Sequence, residues 1–158
     1  MGAQSLTCCL LAVVLLAGCA DLSHRVVRVA DGDTVIALKD GNEIKIRLVE
    51  IDAPEKAQAY GAASTQSLTE LCLNKVATLE EQGKDRYGRT LARVHCDGID
   101  ANREQVRQGM AWVYRRYTSK DSPLYVVEDE AKTARRGLWA DAEPVPPWEW
   151  RNDERRKQ

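Results

Sequence analysis

Three acidic residues, Asp33, Asp52 and Glu55, have the spacing to serve one site. Asp33 follows an Asp-Gly turn, from which its carboxylate can point at a cation, and Asp52 ends a predicted strand. Pro54 bends the chain after that strand, which can aim the Ala53 carbonyl at the same cation and carry Glu55 to its far side. Carboxylate and carbonyl oxygens are ligands of hard divalent cations, and a free carboxylate nearby can orient or deprotonate water.

Two arginines could complete this chemistry. Arg47 lies five residues before Asp52 on the predicted strand, and Arg89 ends the loop segment Arg86-Tyr87-Gly88-Arg89. A guanidinium group can bind two oxygens of one phosphate, which an ammonium group cannot. Hydrolysis of a phosphodiester needs such groups, because negative charge builds on the phosphate while water loses a proton.

Each of these segments also has a structural interpretation, which is the more common one for a short motif on its own. Asp-Gly turns join hairpin strands, Asp-Ala-Pro-Glu is a usual strand exit, and residues 86–89 are typical of a solvated loop. The hypothesis of a shared site therefore rests on all three segments occurring together and in this order.

Aromatic residues near these segments are candidates for contacts with a nucleotide. Tyr87 and Trp112 could stack on a base, an interaction of about 1–3 kcal/mol per base. For Trp112, a place in the core beside the last helix is an equally good interpretation. His24 and His95 are the two histidines, and nothing else in the sequence supports a zinc site.

Apolar periodicity indicates the elements that must position these residues. Strands are predicted within residues 24–52, 76–79 and 91–95, and helices at residues 57–73, 102–109 and 122–137. Five short strands and three flanking helices predict an α+β fold with a five-stranded OB-type barrel, because a parallel sheet would need a helix after every strand. Asn102 is predicted to cap the second helix.

The N-terminus has the pattern of an export signal. Leu10 to Ala17 is an apolar run too short to span a bilayer, and Leu16-Ala17-Gly18-Cys19 resembles the bacterial lipobox, in which the cysteine is acylated. Acylation of Cys19 would anchor the protein in a membrane, and the following Ala20 favours the outer membrane, with the protein facing the periplasm. Simple cleavage after Ala20 is the alternative and would make a soluble periplasmic or secreted protein.

These patterns divide the chain into four parts. They are a signal peptide at residues 1–18, a linker at 19–24, a barrel domain at 25–141, and a charged tail with prolines and tryptophans at 142–158. The tail is predicted to be extended and frayed at its end. Cys72 and Cys96 remain after export, either as a disulfide or as two buried free thiols.

Composition supports a folded domain and leaves its ligand open. Hydrophobic residues make up 44% of the chain, which argues against disorder. The formal net charge is -1, so affinity for phosphate must come from a local cluster of Arg and Lys. Nothing in the sequence suggests more than a monomer.

In this order, the three segments resemble the staphylococcal nuclease (thermonuclease, micrococcal nuclease) family, over about residues 25–139. The resemblance implies Ca²⁺ as cofactor and DNA and RNA as substrates, cut to leave 3′-phosphate and 5′-hydroxyl ends. It also implies a role for each matching position: Ca²⁺ ligation by Asp33, Asp52 and the Ala53 carbonyl, general base catalysis by Glu55, and phosphate binding by Arg47 and Arg89.

The chain departs from the family pattern at two of these positions and in its charge. Ala53 stands where the best-known relative has Thr, and Trp112 where it has Tyr. The chain is also much less basic, which predicts weaker and more salt-sensitive binding of nucleic acid. A barrel that binds nucleic acid or protein without cutting is the alternative function, although such relatives usually lack the acidic and Arg residues. A structural envelope lipoprotein is a third possibility, and such a protein would have no use for these acidic and Arg residues.

Overall fold

The computed structural model describes residues 24–157. Within this range the chain forms eight strands and four α-helices. The strands are β1 (His24–Asp31), β2 (Thr34–Lys39), β3 (Asn42–Leu48), β4 (Ile51–Asp52), β5 (Val76–Lys84), β6 (Thr90–Cys96), β7 (Ile99–Asp100) and β8 (Trp112–Val113). The helices are α1 (Gly61–Cys72), α2 (Ala101–Arg107), α3 (Leu124–Thr133) and α4 (Pro147–Arg156), and Gly137–Ala140 forms a 3-10 turn.

The five longer strands close into a barrel. Antiparallel pairing runs in the order β3-β2-β1-β5-β6, and β6 then pairs with β3 in parallel register. Alternate residues point inward, and Val35, Ile46 and Val94 are fully buried in the barrel core. Closure pairs the strands that would otherwise be edges of the sheet. The predicted α+β class and five-stranded barrel are thus confirmed.

The third strand ends earlier than the alternating sequence predicts. The alternation continues to Ile51, but Glu50 adopts a left-handed backbone conformation with φ 62° and interrupts the strand. Asp52 then pairs with Trp112 in the small β4–β8 ladder, outside the barrel sheet. The side chain of Asn102 stabilises this break by donating a hydrogen bond to the Val49 carbonyl at 2.8 Å.

The predicted cap of the second helix is wrong by two residues. Asp100 caps α2, since its carboxylate accepts a hydrogen bond from the Arg103 amide at 2.9 Å. Asn102 lies inside the helix and is fully buried. It also accepts a hydrogen bond from the Val94 amide, so it joins β6 to the break after β3.

The end of the C-terminal tail is helical, which contradicts the prediction that it is frayed from Arg151 onward. Residues Pro147–Arg156 form α4, a fourth helix beyond the three predicted. Pro147 is buried and occupies the first turn, where its fixed φ suits a helix start and no amide partner is needed. Tertiary contacts of this helix, described below, explain why a short polar sequence is ordered here.

Cys72 at the end of α1 and Cys96 at the end of β6 form a disulfide, with Cα atoms 5.2 Å apart. The structure therefore shows the disulfide rather than two free thiols, and the bridge fixes α1 to the barrel.

Within residues 24–157, no helix is long and apolar enough to cross a membrane. The predicted signal peptide and Cys19 lie outside the described residues.

Candidate active site

Two buried carboxylates converge on one guanidinium group where the β1–β2 turn meets β4. Asp33 lies at the turn between β1 and β2, Asp52 ends β4, and both side chains are less than a tenth exposed. One nitrogen of Arg47, Nη2, lies 3.1 Å from Asp33 Oδ2 and 3.1 Å from Asp52 Oδ1. The structure thus brings together three residues that the sequence assigns to one site.

The carboxylate of Asp33 is held by its neighbours in a single orientation. Its Oδ2 accepts a hydrogen bond from the Ala53 amide at 2.7 Å, and its Oδ1 accepts one from the Thr34 hydroxyl at 3.1 Å. Ala53 therefore links the two acidic segments through its N–H group. These contacts connect the β1–β2 turn directly to the chain that follows Asp52.

Side chains of α1 and α2 hold the turn before Asp33 in place. The side-chain amide of Gln105 donates a hydrogen bond to the Gly32 carbonyl at 2.7 Å. A Cβ atom on Gly32 would lie 1.9 Å from the Ser64 hydroxyl and 2.8 Å from the Ala53 Cβ, so glycine is needed for this close approach. The sequence analysis missed the supporting residues Gln105 and Ser64, because no motif marks them.

Arg47 owes its position to β3 and its parallel neighbour. Its Nη1 donates to the carbonyl of the next residue, Leu48, and only 13% of its side chain is exposed. In the β3–β6 register Arg47 lies opposite Leu91, on the outer side of the barrel wall. The guanidinium group is therefore anchored in place before any substrate arrives.

Burial leaves the Asp33 carboxylate short of positive charge. The pKa of Asp33 is raised to about 7, first because burial disfavours its charged form, while Arg47 acts in the opposite direction. The neighbouring carboxylates of Asp31 and Asp52 raise this pKa further. Among the described residues, Arg47 is the one guanidinium group within ion-pair distance of Asp33, and a further cation would be stabilised beside this carboxylate.

Glu55 lies at the rim of the same cluster and is bound by an arginine from the C-terminus. Its Oε1 lies 2.8 Å from Arg151 Nη1, and Arg151 Nη2 lies 2.7 Å from Asp52 Oδ2. The side chain of Glu55 is 43% exposed, so solvent can reach its carboxylate. The predicted base thus lies beside the predicted metal ligands, as the bend at Pro54 requires.

Arg151 is the functional candidate that the sequence analysis missed. It falls in the segment predicted to be frayed, and nothing in its local sequence indicates contact with Asp52. The available signal was the run Pro147-Trp148-Glu149-Trp150, in which a proline precedes aromatic residues that could dock.

Arg89 lies in the β5–β6 hairpin and is bound there by Asp85. Its Nε is 2.7 Å from Asp85 Oδ2, and this is its ion pair within the described chain. Asp85 also accepts hydrogen bonds from the amides of Tyr87 and Arg89, which shapes the loop tip. Because Thr90 pairs with Ile46 and Leu91 with Arg47 in the parallel β3–β6 ladder, Arg89 lies just before β6, two residues before the position opposite Arg47.

The two predicted aromatic contacts have different surroundings. Tyr87 is 68% exposed at the loop tip, with the guanidinium groups of Arg86 and Arg89 over its ring at 4.8 and 5.7 Å from its centroid. Trp112 packs edge-on against Trp139, with ring centroids 4.3 Å apart. This packing favours the core interpretation of Trp112, while substrate contact by either residue stays a prediction.

The residues present fit a hard divalent cation. The oxygens of Asp33 and Asp52 already converge on one positively charged atom, and carboxylate oxygen is a preferred ligand of Ca²⁺. Within residues 24–157, no three His, Cys, Asp or Glu side chains are grouped closely enough to hold a metal by themselves. A cation between Asp33 and Asp52 would therefore take further ligands from main-chain oxygen and water.

Comparison with known proteins agrees with this geometry. Residues 45–141 match the family model described as staphylococcal nuclease homologue. A protein of Escherichia coli O157:H7 named uncharacterized endonuclease is 49% identical over 135 residues, which cover 85% of this chain and 88% of that protein. A protein of Haemophilus influenzae with the same name is 44% identical over 154 residues, covering 95% and 85% of the two chains. A micrococcal nuclease of Shigella flexneri is 38% identical over 149 residues, covering 88% and 86%.

Proposed function

We propose that this chain, which belongs to the staphylococcal nuclease family, hydrolyses phosphodiester bonds in DNA and RNA with the help of Ca²⁺. Family membership and the names of its relatives support nuclease activity. The observation that carries the proposal for this chain is the convergence of Asp33 and Asp52 on Arg47 Nη2, with Glu55 beside them. The alternative of a binding barrel without activity gives no reason for two carboxylates to share one buried guanidinium group.

Asp33, Asp52 and the Ala53 carbonyl are the groups proposed to hold the cation. A bound Ca²⁺ ion would neutralise charge on the phosphate oxygens. The Asp33 carboxylate is already buried and oriented by hydrogen bonds before binding, which favours cation binding at this position. Because the pKa of Asp33 is raised, a cation that binds this carboxylate would displace a proton from it.

The arginines and Glu55 carry the remaining chemistry. Arg47 and Arg89 bind oxygens of the scissile phosphate and stabilise the charge that builds on them. Glu55 accepts a proton from a water molecule as its oxygen bonds to phosphorus. The P–O5′ bond breaks, and the leaving O5′ takes up a proton, which leaves a 3′-phosphate and a 5′-hydroxyl end.

Cleavage of plasmid DNA and of a labelled RNA oligonucleotide tests this proposal. We expect cutting in Ca²⁺, loss of cutting in EGTA, and products that accept a 5′ phosphate from polynucleotide kinase without prior phosphatase treatment. Glu55→Gln should lower kcat by about 100-fold or more, since a general base typically contributes 10²–10⁴. Full activity in EGTA would contradict the role of Ca²⁺, and nucleic-acid binding without any cutting would favour the binding-module alternative.

We also propose that the protein is exported and anchored in a membrane through Cys19. The apolar run at residues 10–17 and the segment Leu16-Ala17-Gly18-Cys19 support this. Expression of the full-length chain should place it in the membrane fraction with a lipid label, and Cys19→Ser should abolish the label. A mature protein found in the soluble periplasmic fraction, with Cys19 unlabelled, would instead support simple secretion.

A further inference from the structure

The C-terminal helix α4 is docked against the β4–β8 ladder by aromatic packing. The Trp148 ring stacks on Tyr114 with centroids 5.6 Å apart and planes at 7°, and it meets Trp112 edge-on at 5.8 Å. Pro147 is buried at the start of the helix. Since Trp112 pairs with Asp52 in the ladder, this docking places α4 directly beside the carboxylate cluster.

The same segment is bound to the backbone of Glu55. The buried side chain of Gln58 accepts a hydrogen bond from the Glu55 amide at 3.1 Å and donates one to the Val145 carbonyl at 2.6 Å. Gln58 thus joins the loop that carries Glu55 to the chain that leads into α4. Two independent contacts, one aromatic and one polar, fix the C-terminal segment to this side of the site.

Arg151 extends from α4 into the site and binds two acidic side chains at once. Its Nη1 lies 2.8 Å from Glu55 Oε1 and 3.3 Å from Asp52 Oδ1, while its Nη2 lies 2.7 Å from Asp52 Oδ2. A planar guanidinium group can hold two carboxylates in a defined relative orientation, which a single hydrogen bond cannot. Without this contact Glu55 would be a flexible side chain at a half-exposed rim.

We propose that Arg151 is a positioning residue of the nuclease site, which holds the Glu55 carboxylate beside Asp52 from the C-terminal helix. This inference rests on the proposed function, because it assigns Arg151 a task only if Glu55 acts on water. Arg47 and Arg89 are the phosphate-binding arginines in that proposal, and Arg151 instead acts through the base. The C-terminal segment therefore belongs to the catalytic domain.

The contact with Asp52 has a second consequence. Asp52 accepts hydrogen bonds from both Arg47 and Arg151, so these guanidinium groups compete with a cation for its oxygens. Removing Arg151 should therefore strengthen Ca²⁺ binding while weakening catalysis. A residue that only stabilised the fold would not move these two quantities in opposite directions.

The test uses Arg151→Ala and Arg151→Lys in the full chain, with Arg156→Ala as the control. Arg156 lies on the same helix and carries the same charge, and its ion pair with Asp153 is exposed. At saturating Ca²⁺, we expect Arg151→Ala to lower kcat by about 10- to 100-fold with KM for DNA within about twofold, since small misplacement of a catalytic group has effects of this size. Arg151→Lys should recover only part of the loss, and Arg156→Ala should match the unmodified protein.

A double variant separates positioning from substrate binding. If Arg151 acts through Glu55, then Arg151→Ala should cause no further loss of kcat in a Glu55→Gln background. An additive loss, an effect on KM alone, or unchanged kcat would overturn the proposal. Intact docking of α4 can be checked in each variant from the tryptophan fluorescence and from the melting temperature.

Calorimetric titration with Ca²⁺ alone gives a result that does not depend on activity. We expect several-fold tighter binding by Arg151→Ala than by the unmodified protein or by Arg156→Ala. Unchanged or weaker binding would show that Arg151 does not contact Asp52 in solution, and it would overturn the proposal. If the unmodified protein binds Ca²⁺ but cuts neither DNA nor RNA, the proposed function fails, and this failure is distinct from a loss confined to the Arg151 variants.

Discussion

The two sides of the site differ in how firmly the fold holds them. On the buried side, Asp33, Arg47 and Asp52 are linked to one another and enclosed by the barrel and the helices. On the exposed side, Arg89 and Tyr87 belong to a hairpin loop whose contacts are largely internal to the loop. The protein thus preorganises the groups that would hold a cation and leaves the groups that would meet the rest of a substrate able to adapt.

This difference has a physical reason. Buried carboxylates are stable only when they are paired and hydrogen-bonded, so their surroundings must be ordered in the free protein. A partly exposed ion pair such as Arg89–Asp85 is solvated and contributes little to stability. The comparison therefore predicts large stability effects on the buried side and mainly binding effects on the exposed side.

The largest effect is expected from a matched pair of arginine variants. At pH 8 without Ca²⁺, Arg47→Ala should lower the free energy of unfolding by about 3–5 kcal/mol, because it leaves the buried Asp33 carboxylate without its ion-pair partner, while Asp52 keeps Arg151. Arg89→Ala should lower it by about 1 kcal/mol or less, since its ion pair is partly solvated. Chemical denaturation of both variants and the unmodified protein measures the difference.

The loss of unfolding free energy caused by Arg47→Ala should become smaller as the pH falls below about 7. Asp33, whose pKa is raised to about 7, then carries a proton, and a neutral carboxyl group no longer needs the guanidinium partner. If Arg47→Ala and Arg89→Ala lowered the free energy of unfolding equally at pH 8, the two sides of the site would not differ in how firmly the fold holds them.

A smaller effect is expected from the disulfide, which lies at the opposite end of β6 from the Arg89 loop. The bridge spans 24 residues, so replacing both cysteines by alanine should lower the free energy of unfolding by about 3 kcal/mol. Below the melting temperature, kcat should stay within about twofold, because neither cysteine contacts a site residue. Unchanged stability in the double variant would show that the bridge does not form in solution.

The smallest effect on stability is expected from Tyr87→Ala. This ring is exposed, so the free energy of unfolding should change by about 0.5 kcal/mol or less. Binding of a single-stranded oligonucleotide in EGTA should weaken by about fivefold or more, since stacking on one base contributes about 1–3 kcal/mol. Tyr87→Phe keeps the ring and should bind normally, and unaffected binding by Tyr87→Ala would exclude stacking at this position.

The C-terminal segment shows where sequence patterns fail. The segment after residue 142 begins with prolines and ends in a charged run, so local propensity predicts a tail, whereas the structure forms α4 there. The helix is ordered because Trp148 finds Tyr114 and Trp112, partners more than thirty residues earlier in the chain. The misplaced cap at Asn102 has the same origin, since its side chain serves Val49 and Val94 rather than its own helix.

The sequence by itself predicted the barrel and selected Asp33, Asp52 and Arg47 as candidates for one site, because strand alternation, turns and short motifs are local properties of the chain. Only the tertiary structure decided that Asp33 and Asp52 share Arg47, that Arg89 pairs with Asp85, and that Arg151 reaches Glu55. Such contacts join distant segments, and they depend on burial and packing that no local pattern encodes.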